Sequence, residues 1–234
     1  MILTLMRHPA VEIANGRCIG QTDIDLSAAG EASLESLVQE ACRLLPDRIL
    51  SSDLKRCRLL AQQIADRLHI TPVFDSIWRE VNFGLWENRT WNDIRSEDSR
   101  GFADWNADFV TVAPPGGESF QGLQNRVLEA ISNVCTVGTR FCASAVGMRF
   151  CASGDACPDT SIPIIPPDAQ KRIPTVLVVT HAGVMRAAYA AFSKLPLSQA
   201  FDYHVPYGAM LHWAGPANAC GNARSSAVPP EWTV

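Results

Sequence analysis

Apolar residues fall into short unbroken runs, separated by stretches in which they recur every three to four positions. Ile2 to Met6 is a short, largely apolar run that stops abruptly at Arg7-His8-Pro9. Such a run predicts a buried strand. A loop follows to Leu26, and Ser27 stands where a helix N-cap is expected. Leu34, Leu37, Val38, Ala41, Leu44 and Leu45 then repeat at helical spacing and predict an amphipathic helix over 28–45. Ile49-Leu50 predicts a second strand before Ser51-Ser52-Asp53. Leu54, Leu60, Ile64 and Leu68 mark a second helix, with Asp53 as its expected cap. Pro72-Val73-Phe74 predicts a third strand. The region of Trp78, Trp86, Trp91 and Trp105 is expected to be irregular, with short helices. Pro114-Pro115-Gly116-Gly117 reads as a loop, and Phe120, Leu123, Val127, Ile131 and Val134 as the next helical stripe. Thr175 to Thr180 (TVLVVT) gives the clearest strand. A helix is expected over 182–192 and a last strand over 209–213.

Strands alternating with helices predict an α/β fold with a mostly parallel, doubly wound sheet. Sites in such sheets form beyond the carboxyl ends of the strands. That rule selects Arg7-His8, Ser51-Ser52 and His181, each directly after a strand.

The segment 135–172 has a different character. It holds Cys135, Cys142, Cys151 and Cys157, repeats RFCAS at 140–144 and 149–153, and ends in IPIIPPDAQKRIP. It reads as a loop-rich insertion in a single domain spanning 1–214, with 215–234 as a loose tail. Zinc is the alternative for its cysteines. Gaps of six, eight and five residues fit no short-knuckle spacing, however, and no His lies inside.

Composition narrows the function. Of 234 residues, 47% are hydrophobic and 19% charged, with Gly and Pro at 15 each, which excludes overall disorder and collagen-like sequence. A chain of this length buries roughly 70–75% of its unfolded surface as one domain. A net charge of −4 does not fit a nucleic-acid binder with a cationic surface. No run of 18 apolar residues predicts a membrane span. The N-terminal run is too short for a signal-peptide core, so a cytoplasmic location is expected. Cys18, Cys42, Cys57 and Cys220 fit no compact disulfide framework.

Taken alone, His8 and His181 each read equally as strand-end histidines, and Arg56 as a surface residue in the first turn of a helix. Together, two His and two Arg converging on one crevice describe a phosphate pocket. A neutral imidazole can attack phosphorus. Surrounding cations would lower the pKa of His8 and stabilise the transferring group. Glu80, in Trp78-Arg79-Glu80-Val81-Asn82-Phe83-Gly84, is the candidate acid, with a pKa raised by Trp and Phe neighbours. The bland alternative is a loop carboxylate paired with Arg79. Gly20 would permit close backbone approach. Gln21 would contact substrate or, with Thr22, simply make a turn. Ser119 would rim the site or cap a helix. His204 and His212 read as structural.

MRHP, SSDLKRC (51–57), REVNFGLWE (79–87), PPGGES (114–119) and VVTHAG (178–183) resemble the histidine phosphatase superfamily, the group of phosphoglycerate mutases and related phosphatases. GRCIGQTDIDLSAAGE (16–31) resembles the α-ribazole phosphatase branch, which acts in the last steps of cobalamin synthesis. The resemblance covers most of the chain outside 135–172 and the tail. It implies a three-layer α/β/α fold and a metal-independent phosphomonoesterase that acts on a small phosphorylated metabolite, with no metal or organic cofactor. It also implies roles: His8 as phosphorylated nucleophile, Arg7, Arg56 and His181 as phosphate holders, and Glu80 as proton donor and later acceptor. Gly20, Gln21 and Ala182 join the expected binding residues. A broad sugar-phosphate or nucleotide phosphatase, a mutase and a non-catalytic phosphate-binding module are the alternatives. The chain departs from the family pattern at Pro9, where Gly is usual, and at Asn88, where Gly often follows the Trp-Glu pair. The Ser and Asn that mutases carry are missing between Ala10 and Asn15, which argues against a mutase.

Overall fold

The structure, a computed structural model, describes residues 1–12, 16–145, 173–214 and 232–233. Its centre is a six-stranded sheet in the order β3-β2-β4-β1-β5-β6. The strands are β1 (Ile2–Arg7), β2 (Arg48–Ser51), β3 (Val73–Phe74), β4 (Thr175–Thr180), β5 (Met210–Ala214) and β6 (Trp232–Thr233). The first four run parallel, β5 pairs antiparallel with β1, and β6 pairs antiparallel with β5. The helices are α1 (Ala28–Arg43), α2 (Lys55–Leu68), α3 (Trp91–Glu97), α4 (Ser99–Ala107), α5 (Phe120–Ala145) and α6 (Ala182–Phe192).

The strands alternate between two cores because both faces are covered. Leu3, Leu5, Val176 and Val178 face α5 and α6, whereas Met6, Ile49, Leu177 and Val179 face α1 and α2. Fully apolar strands are therefore required at the centre, as TVLVVT suggests. A third cluster gathers Cys18, Trp86 and Ile94 with Phe83, Trp91, Phe102 and Trp105, so the Trp-rich region packs as an aromatic mass beside the 16–22 loop.

Three local expectations are revised. The first helix stops at Arg43, Leu44 caps it, and Leu45 turns to φ +46 before Pro46. Asp53 does not cap α2. Its carboxylate takes two hydrogen bonds from Arg79, at 2.6 and 2.5 Å, and that bidentate charged pair displaces the cap. The first α2 amide, Lys55 N–H, goes instead to Asp23. Helix α5 continues to Ala145, so the first part of the segment read as insertion is helical. The rest of that segment, 146–172, lies outside the described residues. So does 215–231 of the expected tail, although Trp232–Thr233 pairs with β5 as an edge strand.

Candidate active site

β1 and β4 are neighbours, so their carboxyl ends bring Arg7-His8 and His181 together. The two imidazoles lie 5.1 Å apart between ring centroids, at 61°. His8 is 5% exposed and His181 fully buried. His8 Nδ1 lies 2.7 Å from the carbonyl oxygen of Pro9. A carbonyl only accepts, so Nδ1 carries the proton and the lone pair is on Nε2. Position 9 thus serves His8 through its carbonyl, which proline retains.

Arg56, 2% exposed, enters from the first turn of α2. Nη2 donates to Gly20 O at 2.6 Å, Nη1 to Thr22 O at 2.8 Å and Nε to His181 Nδ1 at 3.3 Å. The last contact fixes the second tautomer. Nδ1 of His181 must accept, so Nε2–H donates to Ser52 Oγ at 2.9 Å. A guanidinium has five N–H groups, and these three contacts leave others for an anion. Arg7 donates to Val205 O, and its buried Nε has no partner among the described residues. Its guanidinium lies 3.9 Å from the ring centroid of Tyr207.

Burial holds both histidines neutral. It pushes the His8 pKa well below the ordinary value, and Arg56 and then Arg7 add to the effect. The same applies to His181, with Arg56 and His8 as the next causes. Cations alone are therefore the smaller part of why His8 stays unprotonated.

Glu80 approaches from the other side. Its carboxylate accepts from Val81 N at 2.9 Å and from Gly183 N at 3.0 Å. Gly183 is the second residue of α6, where backbone amides have no partner within the helix and take a side-chain acceptor. A Cβ there would lie 2.0 Å from Glu80 Oε1, so glycine is what admits the carboxylate. Arg79 is engaged with Asp53, so the bland Arg79–Glu80 pair does not form. Ala182 is buried at the start of α6, between His181 and Gly183.

The Gly20–Thr22 loop is organised by a residue to which sequence reasoning gave no role. The Glu87 carboxylate accepts from Gly20 N (3.1 Å), Gln21 N (2.8 Å), Thr22 N (3.0 Å), Thr22 Oγ1 (2.6 Å) and Phe83 N (3.1 Å). Gly20 fits because a Cβ would meet Val81 O at 2.2 Å. Gln21 donates its side-chain amide to Glu80 O at 3.1 Å, tying the loop to the carboxylate's segment. Arg126 reaches the same carbonyl at 2.9 Å and is itself held by Glu118. Ser52, selected by the strand-end rule, meets His181, whereas Arg126 was invisible in the sequence because its contacts are with distant groups. Ser119 caps α5, with Gly122 N–H donating to Oγ. His212 meets Thr4 Oγ1 across β5 and β1, and His204 is exposed.

Among the described residues, no group of three His, Cys, Asp or Glu is arranged to hold a metal ion, and no helix is long and apolar enough to cross a membrane. Two cavities, of about 410 and 500 Å³, share Arg56 and Gln21 respectively with this centre, and His8 lines neither.

A sequence model of the histidine phosphatase superfamily (branch 1) matches residues 3–140. The chain belongs to that superfamily. It is an enzyme of the phosphoric monoester hydrolase type. It is 27% identical over 215 residues to an adenosylcobalamin/α-ribazole phosphatase of Salmonella typhimurium, covering 89% of this chain and 87% of that protein. It is also 34% identical over 134 residues to an Escherichia coli protein named "probable phosphoglycerate mutase", covering 55% of this chain and 60% of that one. The crystal structure of the α-ribazole phosphatase from Shigella flexneri superimposes with a TM-score of 0.72. At 21% identity, with 93% of this chain and 92% of that one covered, it shows the shared histidine phosphatase fold.

Proposed function

We propose that this histidine phosphatase hydrolyses α-ribazole 5′-phosphate through a phosphohistidine on His8, without a metal ion. One observation carries the mechanism: Nδ1–H of His8 is committed to Pro9 O, so the nucleophilic lone pair belongs to a neutral Nε2 in a buried cationic pocket. Nε2 attacks phosphorus while the ester P–O bond breaks, and Glu80 gives its proton to the departing oxygen. Water then attacks the phosphoryl group, Glu80 takes its proton, the P–N bond breaks and neutral His8 returns. Arg7, Arg56 and His181, whose Nε2–H turns from Ser52 Oγ to the bound anion, hold the equatorial oxygens as charge develops. The two guanidiniums supply the positive charge that a metal would otherwise bring.

The substrate half of the proposal is supported by the GRCIGQTDIDLSAAGE segment and by the name of the Salmonella relative, which aligns over most of both chains. Phosphate release in excess EDTA tests it, comparing α-ribazole 5′-phosphate with sugar phosphates and nucleotides. Strong selectivity for α-ribazole 5′-phosphate is expected. Weak, even activity across the panel would return the enzyme to the broad-specificity reading.

A further inference from the structure

Residues 201–207 run from the end of a 3-10 helix (Leu197–Asp202) toward β5 and form a strap packed against Arg186 and Arg7. The strap grips two guanidiniums in the same way. Arg186 donates to Tyr203 O and lies over the Phe201 ring at 5.1 Å. Arg7 donates to Val205 O and lies over the Tyr207 ring at 3.9 Å. The two rings then differ. Phe201 is committed to Phe109 and Phe120, with centroids at 4.9 and 5.1 Å. Tyr207 meets the buried His8, at 5.7 Å, and is 37% exposed against 46% for Phe201, so of two solvent-open rings it is the one at the nucleophile. The backbone on either side is tied to the nucleophile's own strand end. Arg7 N–H donates to Ala209 O at 2.9 Å, and Gly208 N–H to His8 O at 3.4 Å.

An open aromatic ring is therefore fixed beside both the phosphate-holding Arg7 and the nucleophile. A phosphate ester seated on His8 and held by Arg7 brings its leaving group within reach of this ring. Flat heterocycles stack well on aromatic side chains whatever their hydrogen-bonding edges, and a cation on the far face polarises such a ring. We infer that Tyr207 is a specificity-determining residue whose ring stacks against a heterocyclic base in the leaving group. The substrate class is thus ribosyl 5′-phosphates that bear a base. This rests on the proposed phosphomonoesterase activity and deepens it.

The test compares α-ribazole 5′-phosphate and adenosine 5′-monophosphate with ribose 5-phosphate. All three present the same leaving oxygen, and the last lacks a base. The readout is the ratio of kcat/KM with and without the base, in which any general loss acting through Arg7 cancels. Base stacking on one aromatic ring corresponds to roughly 5- to 150-fold by alanine substitution. The wild-type enzyme should favour both base-bearing esters by a factor in that range. Tyr207→Ala should bring the ratio close to one, chiefly through KM, and Tyr207→Phe should keep it. A ratio unchanged in Tyr207→Ala, or a wild-type enzyme that turns over all three esters equally, overturns the inference and leaves the phosphatase mechanism standing. Failure of the wild-type enzyme to hydrolyse any of the three removes the mechanism and the inference with it.

Discussion

Arg56 Nε–H points at Nδ1 of His181 across 3.3 Å, from a residue 125 positions earlier in the chain. A group that can only donate thus faces a ring nitrogen that must accept, and protonating His181 would set two cationic donors against each other. His8 is in a similar position, buried beside Arg56 and Arg7.

The pH dependence follows from this. Both histidine pKa values are lowered in the folded protein, so the acid limb of kcat/KM should fall below pH 6.5, the ordinary imidazole value. In the unfolded chain both rings take up protons as the pH drops through that value, while the folded state binds none. Stability therefore rises with pH up to about 6.5 and is lost as the pH falls below it. Urea midpoints between pH 7.5 and 5, values spanning the imidazole range, would show the decline, and His8→Asn should reduce its slope. A rate profile that turns over at the ordinary imidazole value would contradict the electrostatic account.

Gly183→Ala is a test of how Glu80 is held. The added Cβ meets the far end of a flexible carboxylate, which can swing aside, so the fold should survive. Glu80 should then lose its α6 amide, and a displaced general acid lowers kcat by about 10²-fold. The loss should be large for alkyl phosphates, small for activated aryl phosphates, and matched in pattern by Glu80→Gln. Equal losses on both substrate types would argue that Glu80 is not the proton donor.

Replacing Glu87 by Gln should loosen the Gly20–Thr22 loop, whose amides it collects and whose carbonyls hold Arg56. Unsatisfied amides at such a site cost about 1–3 kcal/mol. For a domain of this size each kcal/mol lowers Tm by roughly 2–4 °C. KM should rise as Arg56 loses its anchors. Thermal melts and steady-state kinetics on one preparation would check both effects, and unchanged KM with a lowered Tm would confine Glu87 to stability.

The parts of this site legible in the sequence are those fixed by strand ends. Arg7-His8 and His181 each follow a buried strand, and adjacency of β1 and β4 does the rest. Arg56 was legible because a helix start is an anion site in its own right. Glu87 was not, because its partners are backbone amides, which leave no mark on the identity of residues 20–22. Asp53 misled because a good helix cap is also a good arginine partner, and Arg79 lies nearby only in the fold. Asn88, a departure from the family pattern, has φ +59, a conformation glycine favours and asparagine tolerates better than most residues. Strand β6 could not be foreseen, since two residues carry no periodicity.

The claim on which everything else depends is covalent transfer to His8. Rapid quench of the enzyme with ³²P-labelled substrate, followed by peptide mapping, tests it most directly. The account predicts acid-labile, base-stable label on the peptide that carries His8, formed and lost at rates consistent with turnover, and absent from His8→Asn. Turnover by His8→Asn at the wild-type rate, or label found only on another residue, would contradict it.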